Sequence, residues 1–367
     1  MKKTLFFLAC ILLFSCKDSK DRSLMEIPVD IGQNISLPLS TITEEIKAIE
    51  LELTDESLIN PDRILRVLLT ENNVIIAERT QILVFSMDGK FIRSVGSRGQ
   101  GPGEFTGIRN LAIDTKNMLL SVITSSSKLI CYDLLDGNYV KEASIASNIT
   151  IKDIIYINNE LLVIGEQVPR SDSKGLYHHS AVYKLNNDFQ IIDSCTIRDT
   201  YFEKPVMYMS RHENFILQGN GVIYTYYSDI YFNEQIPLET VLRDTLYSMK
   251  DNRLIPELKL KYKDDGIDGY GNKYIQLFNV YRSSRYAFAF YHNDNRKNFY
   301  HFCYDMKTGK GYNMQDGYTD DFNNIEKRIS IRPLNSNTEL FYYWHTHMSP
   351  DDLEEPNPTL YIGKLKN

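Results

Sequence analysis

Tryptophan occurs once in these 367 residues, cysteine five times and proline twelve times, and positive charge is in deficit. Each shortage excludes something. Lys and Arg total 41 against 48 Asp and Glu, a net charge of -7 with no basic cluster, so no nucleic-acid partner is expected. Past Phe14 no apolar run approaches the roughly 20 residues needed to cross a bilayer as a helix. Cys131, Cys195 and Cys303 lie in apolar, strand-like segments at a spacing that suits no metal motif. Buried free thiols are expected there, with one disulfide as the alternative. No Gly-x-Ser-x-Gly elbow is present, and no Cys or Ser stands in an activating context, so no catalytic residue is assigned.

Aromatics are unevenly supplied, with 25 Tyr and 17 Phe beside the single Trp, and both types favour strands. They mark a repeat. Residues 81–92 read as an alternating strand, a tight turn at Asp88-Gly89 and a second strand. Residues 128–140, 180–192, 244–255 and 299–312 repeat this, with turns at Asp136-Gly137, Asn186-Asn187-Asp188, Asp251-Asn252 and Thr308-Gly309. A sixth copy starts at Pro358 and stops after its strand. The register aromatics are Phe85, Tyr132, Tyr183, Tyr247, Tyr304 and Tyr361, separated by 47, 51, 64, 57 and 57 residues. That is the length of a four-stranded propeller blade with some long loops.

Earlier strands of the same units are expected at 74–77, 118–122, 161–164 and 340–343. The expected fold class is therefore all-β, a six-bladed β-propeller of four-stranded blades. An orphan alternating strand at 46–53 matches the truncated sixth copy. If this N-terminal strand completes the last blade, the ring closes and no sheet edge is left unpaired. A β-sandwich with an appended β domain is the alternative, and it accounts for neither the spacing nor the truncation.

Met1-Lys2-Lys3 and the apolar stretch from Thr4 to Phe14 have the form of a signal peptide. The stretch ends in Leu13-Phe14-Ser15-Cys16, which resembles the lipobox of bacterial lipoproteins. The resemblance implies cleavage before Cys16 and lipidation of that cysteine. Several acyl chains make such an anchor stable, where one holds only marginally. The domain plan is then 1–15 signal peptide, 16–30 lipidated tether and 31–367 propeller. The expected address is the bacterial cell envelope, lipid-anchored at the outer membrane, on its periplasmic side or at the cell surface.

Between the first two copies runs Val95-Gly96-Ser97-Arg98-Gly99-Gln100-Gly101-Pro102-Gly103-Glu104-Phe105, followed by a strand ending in Asp114. This linker resembles that of an NHL-type propeller repeat. The longer pattern over about residues 40–140 is similar to a family of six-bladed β-propeller lipoproteins of gut bacteria, NHL-like or TolB-like. The resemblance implies the fold and brings no activity, because related propellers include both binding proteins and enzymes.

The glycine-rich linker lacks the Lys-Ser/Thr and the following helix of a phosphate loop, so it reads as a tight crossover between blades. Arg98, Gln100 and Arg109 flank it and are candidate ligand contacts. His345 and His347 stand two apart, on one face of a strand, and are candidates for the same reason. Zinc needs three or four ligands and only a pair is organised here, so no metal or cofactor is expected. Residues 264–269 superficially resemble a calcium loop but lack the closing Glu, where Ile275 stands.

The function expected is a non-catalytic binding or interaction module. Its partners would be the membrane, through Cys16, and a ligand, glycan or envelope protein. The alternative is a propeller enzyme, a lyase or hydrolase with its site at the central channel mouth. A third reading is a structural partner of an outer-membrane transport complex.

Overall fold

One local rule generates most of the structure: β-branched and aromatic residues alternate, and a residue that tolerates positive φ reverses the chain. The computed structural model describes residues 24–125, 128–168, 170–202, 208–209, 215–227, 230–231, 244–262, 274–293, 298–347 and 356–367. Within them the rule produces an all-β propeller of antiparallel meanders. Residues 1–23, with the expected signal peptide, Cys16 and most of the tether, lie outside the described residues. So do 264–269.

Strands Ile64–Leu69, Asn73–Glu78, Ile82–Ser86 and Phe91–Ser94 pair in order as one sheet. Ile108–Asp114, Leu119–Thr124, Lys128–Asp133 and Tyr139–Ser144 form a second. Ile149–Ile157, Glu160–Gln167, Gly175–Leu185 and Ile191–Phe202 follow, with Arg170–Asp172 added as a fifth strand. Ile275–Arg282, Tyr286–Asn293, Asn298–Asp305 and Lys310–Gln315 make another four-stranded sheet.

The largest sheet has nine strands in two runs. One run is Ile216–Gly219, Val222–Thr225, Thr245–Lys250 and Arg253–Tyr262, with Met25–Val29 parallel to the last. The other is Arg332–Leu334, Asn337–His345, Thr359–Leu365 and Thr43–Glu50. A single residue pair, Gln218 with Asn337, joins the two runs.

All six register aromatics fall on the third strand of a meander. The turns that follow adopt positive φ where the sequence anticipates it, at Gly89 (86°), Gly137 (80°), Asp251 (50°), Asn252 (55°) and Gly309 (70°). Carboxylates reinforce the reversal: Asp133 accepts from the amides of Leu135 and Asp136, and Asp305 from those of Lys307 and Thr308.

Two boundaries differ from the sequence reading. The orphan strand spans Thr43–Glu50 rather than 46–53, and it pairs with Thr359–Leu365. The expected tether contains a strand at Met25–Val29, because Ile27 and Val29 bury one face against Leu258 and Leu260 while the intervening residues stay outside.

Apolar side chains pack between successive meanders. Val84 and Val95 meet Leu111, Leu120 and Tyr132. Ile123 and Cys131 meet Ile151, Val163 and Tyr183. Ile155 and Val182 meet Ile216, and Leu246 and Leu258 meet Leu277 and Phe302. Tyr286 and Cys303 meet Phe341, Tyr343 and Tyr361. Ile49, Tyr342 and Leu360 meet Val74 and Phe85 of the first sheet, which closes the cycle. Burying one such side chain stabilises by roughly 1.5–3 kcal/mol, so the sheets are held mainly through their faces. Cys131, Cys195 and Cys303 are buried and free, as expected.

Candidate functional site

The first strands of the meanders converge, and what they place at the axis is a buried polar cluster. Arg66 interrupts the apolar strand Ile64–Leu69, Asn110 the strand Ile108–Asp114, and Asp153 the strand Ile149–Ile157. Each lies at or next to a register shift, which turns a side chain out of the alternating pattern. Arg66 Nη1 donates to Asn110 Oδ1 at 2.6 Å and to Asp153 Oδ1 at 3.1 Å. Its Nη2 donates to Ser336 Oγ. Asp153 Oδ1 also accepts from Asn110 Nδ2 (2.8 Å) and the Ile154 amide (2.9 Å). Its Oδ2 accepts from the Phe215 and Ile216 amides at 2.8 and 2.9 Å. Burial raises the pKa of this carboxyl, while Arg66 and the three backbone amides oppose the rise.

Ser336 arrives on the turn between Arg332–Leu334 and Asn337–His345, where Asn335 and Ser336 both take positive φ (50° and 57°). The Asn335 amide bridges Leu69, accepting from its N–H and donating to its carbonyl, each at 2.7 Å. The Gln218 N–H reaches across to Ser336 O at 2.8 Å. This hairpin turn therefore fills the axis at the level of Arg66.

His345 and His347 do come together, with ring centroids 4.5 Å apart, and His347 Nε2 lies 2.8 Å from Tyr361 Oη. Tyr361 stacks on Tyr343 at 4.8 Å, and Tyr343 Oη donates to Asp320 Oδ2 at 2.7 Å. Burial, with repulsion from His347 and Lys327, lowers the His345 pKa. Among the described residues no three His, Cys, Asp or Glu side chains converge as a metal site.

Arg98 and Gln100 are exposed on the linker. Arg109 is half-buried, with Nη2 donating to Ser125 O at 3.2 Å. None of the three belongs to the axial cluster; its neighbour Asn110 does. The linker itself is structural. Tyr132 Oη donates to Gly103 O at 2.8 Å, and Glu142 accepts from the Gly103 amide at 2.9 Å. Cys16 lies outside the described residues.

Beside the axis is a cavity of about 90 Å³ bordered by Asn279, Tyr318, Ser330, Arg332 and His301. His301 packs on Phe290 at 4.8 Å, and burial together with Arg332 pushes its pKa down to about 4. Its folded-state pKa thus sits below the ordinary 6.5, and the unfolded chain binds the proton first. Stability is expected to be full above about pH 6.5 and to fall as pH drops towards about 4. Urea midpoints measured across that range test this. His301→Phe should flatten the slope, and an unchanged slope in that variant would assign it to another group.

Sequence reasoning passed over Arg66, Asn110 and Asp153. A signal was available for Arg66, the one charged residue in the otherwise apolar strand Ile64–Leu69, but Asn110 stands beside Arg109 and Asp153 beside Lys152, which blurs it in the other two strands.

Comparison with known proteins gives a family and a solved structure of the same fold. A family model described as a domain of unknown function, DUF4934, matches residues 24–366. A crystal structure from Bacteroides fragilis, of a protein assigned as exported, is 16% identical with a TM-score of 0.62. The match covers 94% of this chain and 99% of that one. That likeness establishes a shared fold alone. The WD40 domain of Pan2 from Neurospora crassa is 12% identical over 82% of this chain and 75% of its own, with a TM-score of 0.44. BamB from Moraxella catarrhalis is 12% identical over 83% and 75%, with a TM-score of 0.37. A search of curated proteins found no match.

Proposed function

We propose that this chain, which belongs to the DUF4934 family, is a lipid-anchored envelope protein whose propeller acts as a non-catalytic binding module. The observation that carries this reading is the filled axis. Arg66, Asn110, Asp153 and Ser336 hydrogen-bond one another across the axis, with the Arg66 Nε alone left over, so recognition is assigned to the loops and to strands that outgrow the blades. In this reading the propeller has six blades. The nine-stranded sheet counts as two of them, touching across the axis through Gln218 and Asn337. The closed cycle of apolar clusters supports that count, and the pairing of Thr43–Glu50 with Thr359–Leu365 would make the last blade from both ends of the chain. The linker at 96–105 supports an NHL-like relationship.

Export, cleavage and lipidation at Cys16 rest on the first 16 residues of the sequence and agree with the assignment of the Bacteroides fragilis protein as exported. Outer-membrane residence follows from the same reading. The test is affinity purification of the full chain from its own membranes, alongside a Cys16→Ser variant. The wild type should partition with membranes and recover a ligand or one envelope protein in stoichiometric amount, and the variant should leave the membrane fraction. A variant that stays membrane-bound would overturn the anchor. Recovery of the chain alone, with no glycan or small molecule binding it, would overturn the binding role.

A further inference from the structure

The sheet containing Gly175–Leu185 and Ile191–Phe202 is longer than its blade needs. These strands have 11 and 12 residues, and their neighbour Glu160–Gln167 pairs only with Ser180–Leu185. Beyond Ser180 the hairpin continues as an overhang and is widened by Arg170–Asp172, which pairs with Gly175–Tyr177. Tyr177 sits directly between Arg170 on one side and Tyr201 on the other, a single cross-strand row. The two tyrosine rings lie 5.1 Å apart at 49°, and neither belongs to an apolar cluster of the core. Tyr201 is 42% exposed.

Acids and bases frame the rings. The Arg170 guanidinium lies 5.3 Å from the Tyr177 centroid and the Lys174 ammonium 5.8 Å from that of Tyr201. Tyr201 Oη donates to Asp172 Oδ2 at 3.2 Å, and Tyr177 hydrogen-bonds the Asp199 carboxylate. Arg170, Ser171, Asp172, Tyr177, Asp199 and Tyr201 line an open groove of about 700 Å³. That volume falls within the roughly 300–1,000 Å³ of ordinary ligand sites.

We propose that this groove binds a neutral, hydroxyl-rich glycan. This deepens the binding-module reading and rests on it. Arg170 in the groove and Lys174 at its edge, beside the Tyr201 ring, balance Asp172 and Asp199, so the groove offers little net attraction to an ionic ligand. Its polar walls do not suit an apolar one. A pyranose ring has a C–H face that packs on a phenol ring and a rim of hydroxyls. The carboxylates can accept from that rim, and the guanidinium can donate to it.

The experiment is calorimetric titration of the detergent-solubilised full chain with gluco-, manno-, xylo- and galacto-oligosaccharides of short length. At least one should bind saturably. Tyr177→Ala and Tyr201→Ala should each weaken it about tenfold or more, and Tyr201→Phe, which keeps the ring, should retain most of the affinity. Both rings lie outside the core clusters, so thermal midpoints should hold and show that the variants remain folded. Glycan binding that survives both alanine variants would overturn the groove while leaving the binding role intact. The same holds if no glycan binds and membrane purification recovers an envelope protein that the Tyr→Ala variants lose; the overhang is then a protein-docking surface. Failure of both the panel and the purification would sink the binding role itself.

Discussion

Arg66→Ala is expected to lower the free energy of unfolding by about 3–5 kcal/mol, because it leaves Asp153 as an uncompensated buried charge. Both partners are almost wholly inaccessible, at 3% and 0% side-chain exposure, so water cannot take the place of the guanidinium. The substitution also removes the donor to Ser336 Oγ, while Asn110 Oδ1 keeps the Leu111 amide at 2.8 Å, and a buried polar atom left alone adds to the loss. Asp153 ties the Ile149–Ile157 strand to the backbone of Phe215 and Ile216. A double variant, Arg66→Met with Asp153→Leu, removes the stranded charge but takes the carboxylate acceptor from the Ile154, Phe215 and Ile216 amides, so it should recover only part of the loss. Equilibrium urea unfolding of the three proteins checks this. A loss below about 1 kcal/mol for Arg66→Ala would mean that the axis is hydrated and not a closed polar core.

Gly89→Ala should cost about 3 kcal/mol, from two sources that can be separated. The residue takes φ 86° in the Asp88-Gly89 turn, a conformation that penalises any Cβ. A Cβ there would also stand 1.8 Å from the carbonyl oxygen of Glu50, at the end of the strand Thr43–Glu50. The turn must then retreat and give up the bond from the Glu52 amide to Gly89 O, now 2.9 Å long. Gly221 is the control. It has φ 72° with nothing within 4 Å of its would-be Cβ, so Gly221→Ala should carry only the conformational part, about 1–2 kcal/mol. Equal losses in the two variants would show that the Gly89 contact with Glu50 contributes nothing.

The parts legible in the sequence are those fixed by neighbours along the chain. Phe85, Tyr132, Tyr183, Tyr247, Tyr304 and Tyr361 stand on equivalent strands, because alternation and turn chemistry act within about ten residues. His345 and His347 also meet, but the strand Asn337–His345 ends at the first of them, so alternation along one strand is not what pairs them. The axial cluster was not legible. Arg66 is 44 residues from Asn110, 87 from Asp153 and 270 from Ser336, and nothing in local spacing couples them. Arg98, Gln100 and Arg109 were chosen for their place beside a crossover, but an exposed linker does not fix the direction of a side chain. The overhang escaped notice because Tyr177 and Tyr201 follow the same alternation as core tyrosines, and only the short partner strand reveals that they project beyond the blade.

The pairing of Thr43–Glu50 with Thr359–Leu365 has a consequence in time as well as in space. Each meander can assemble from residues that emerge together, but this ladder joins segments more than 300 positions apart, a contact of very high order. During synthesis the early strand must wait, with its hydrogen-bonding edge open, for almost the whole remaining chain. Formation of this ladder is expected late in folding, and a chain interrupted before residue 359 would leave the edge of Thr43–Glu50 open to strand exchange with another copy.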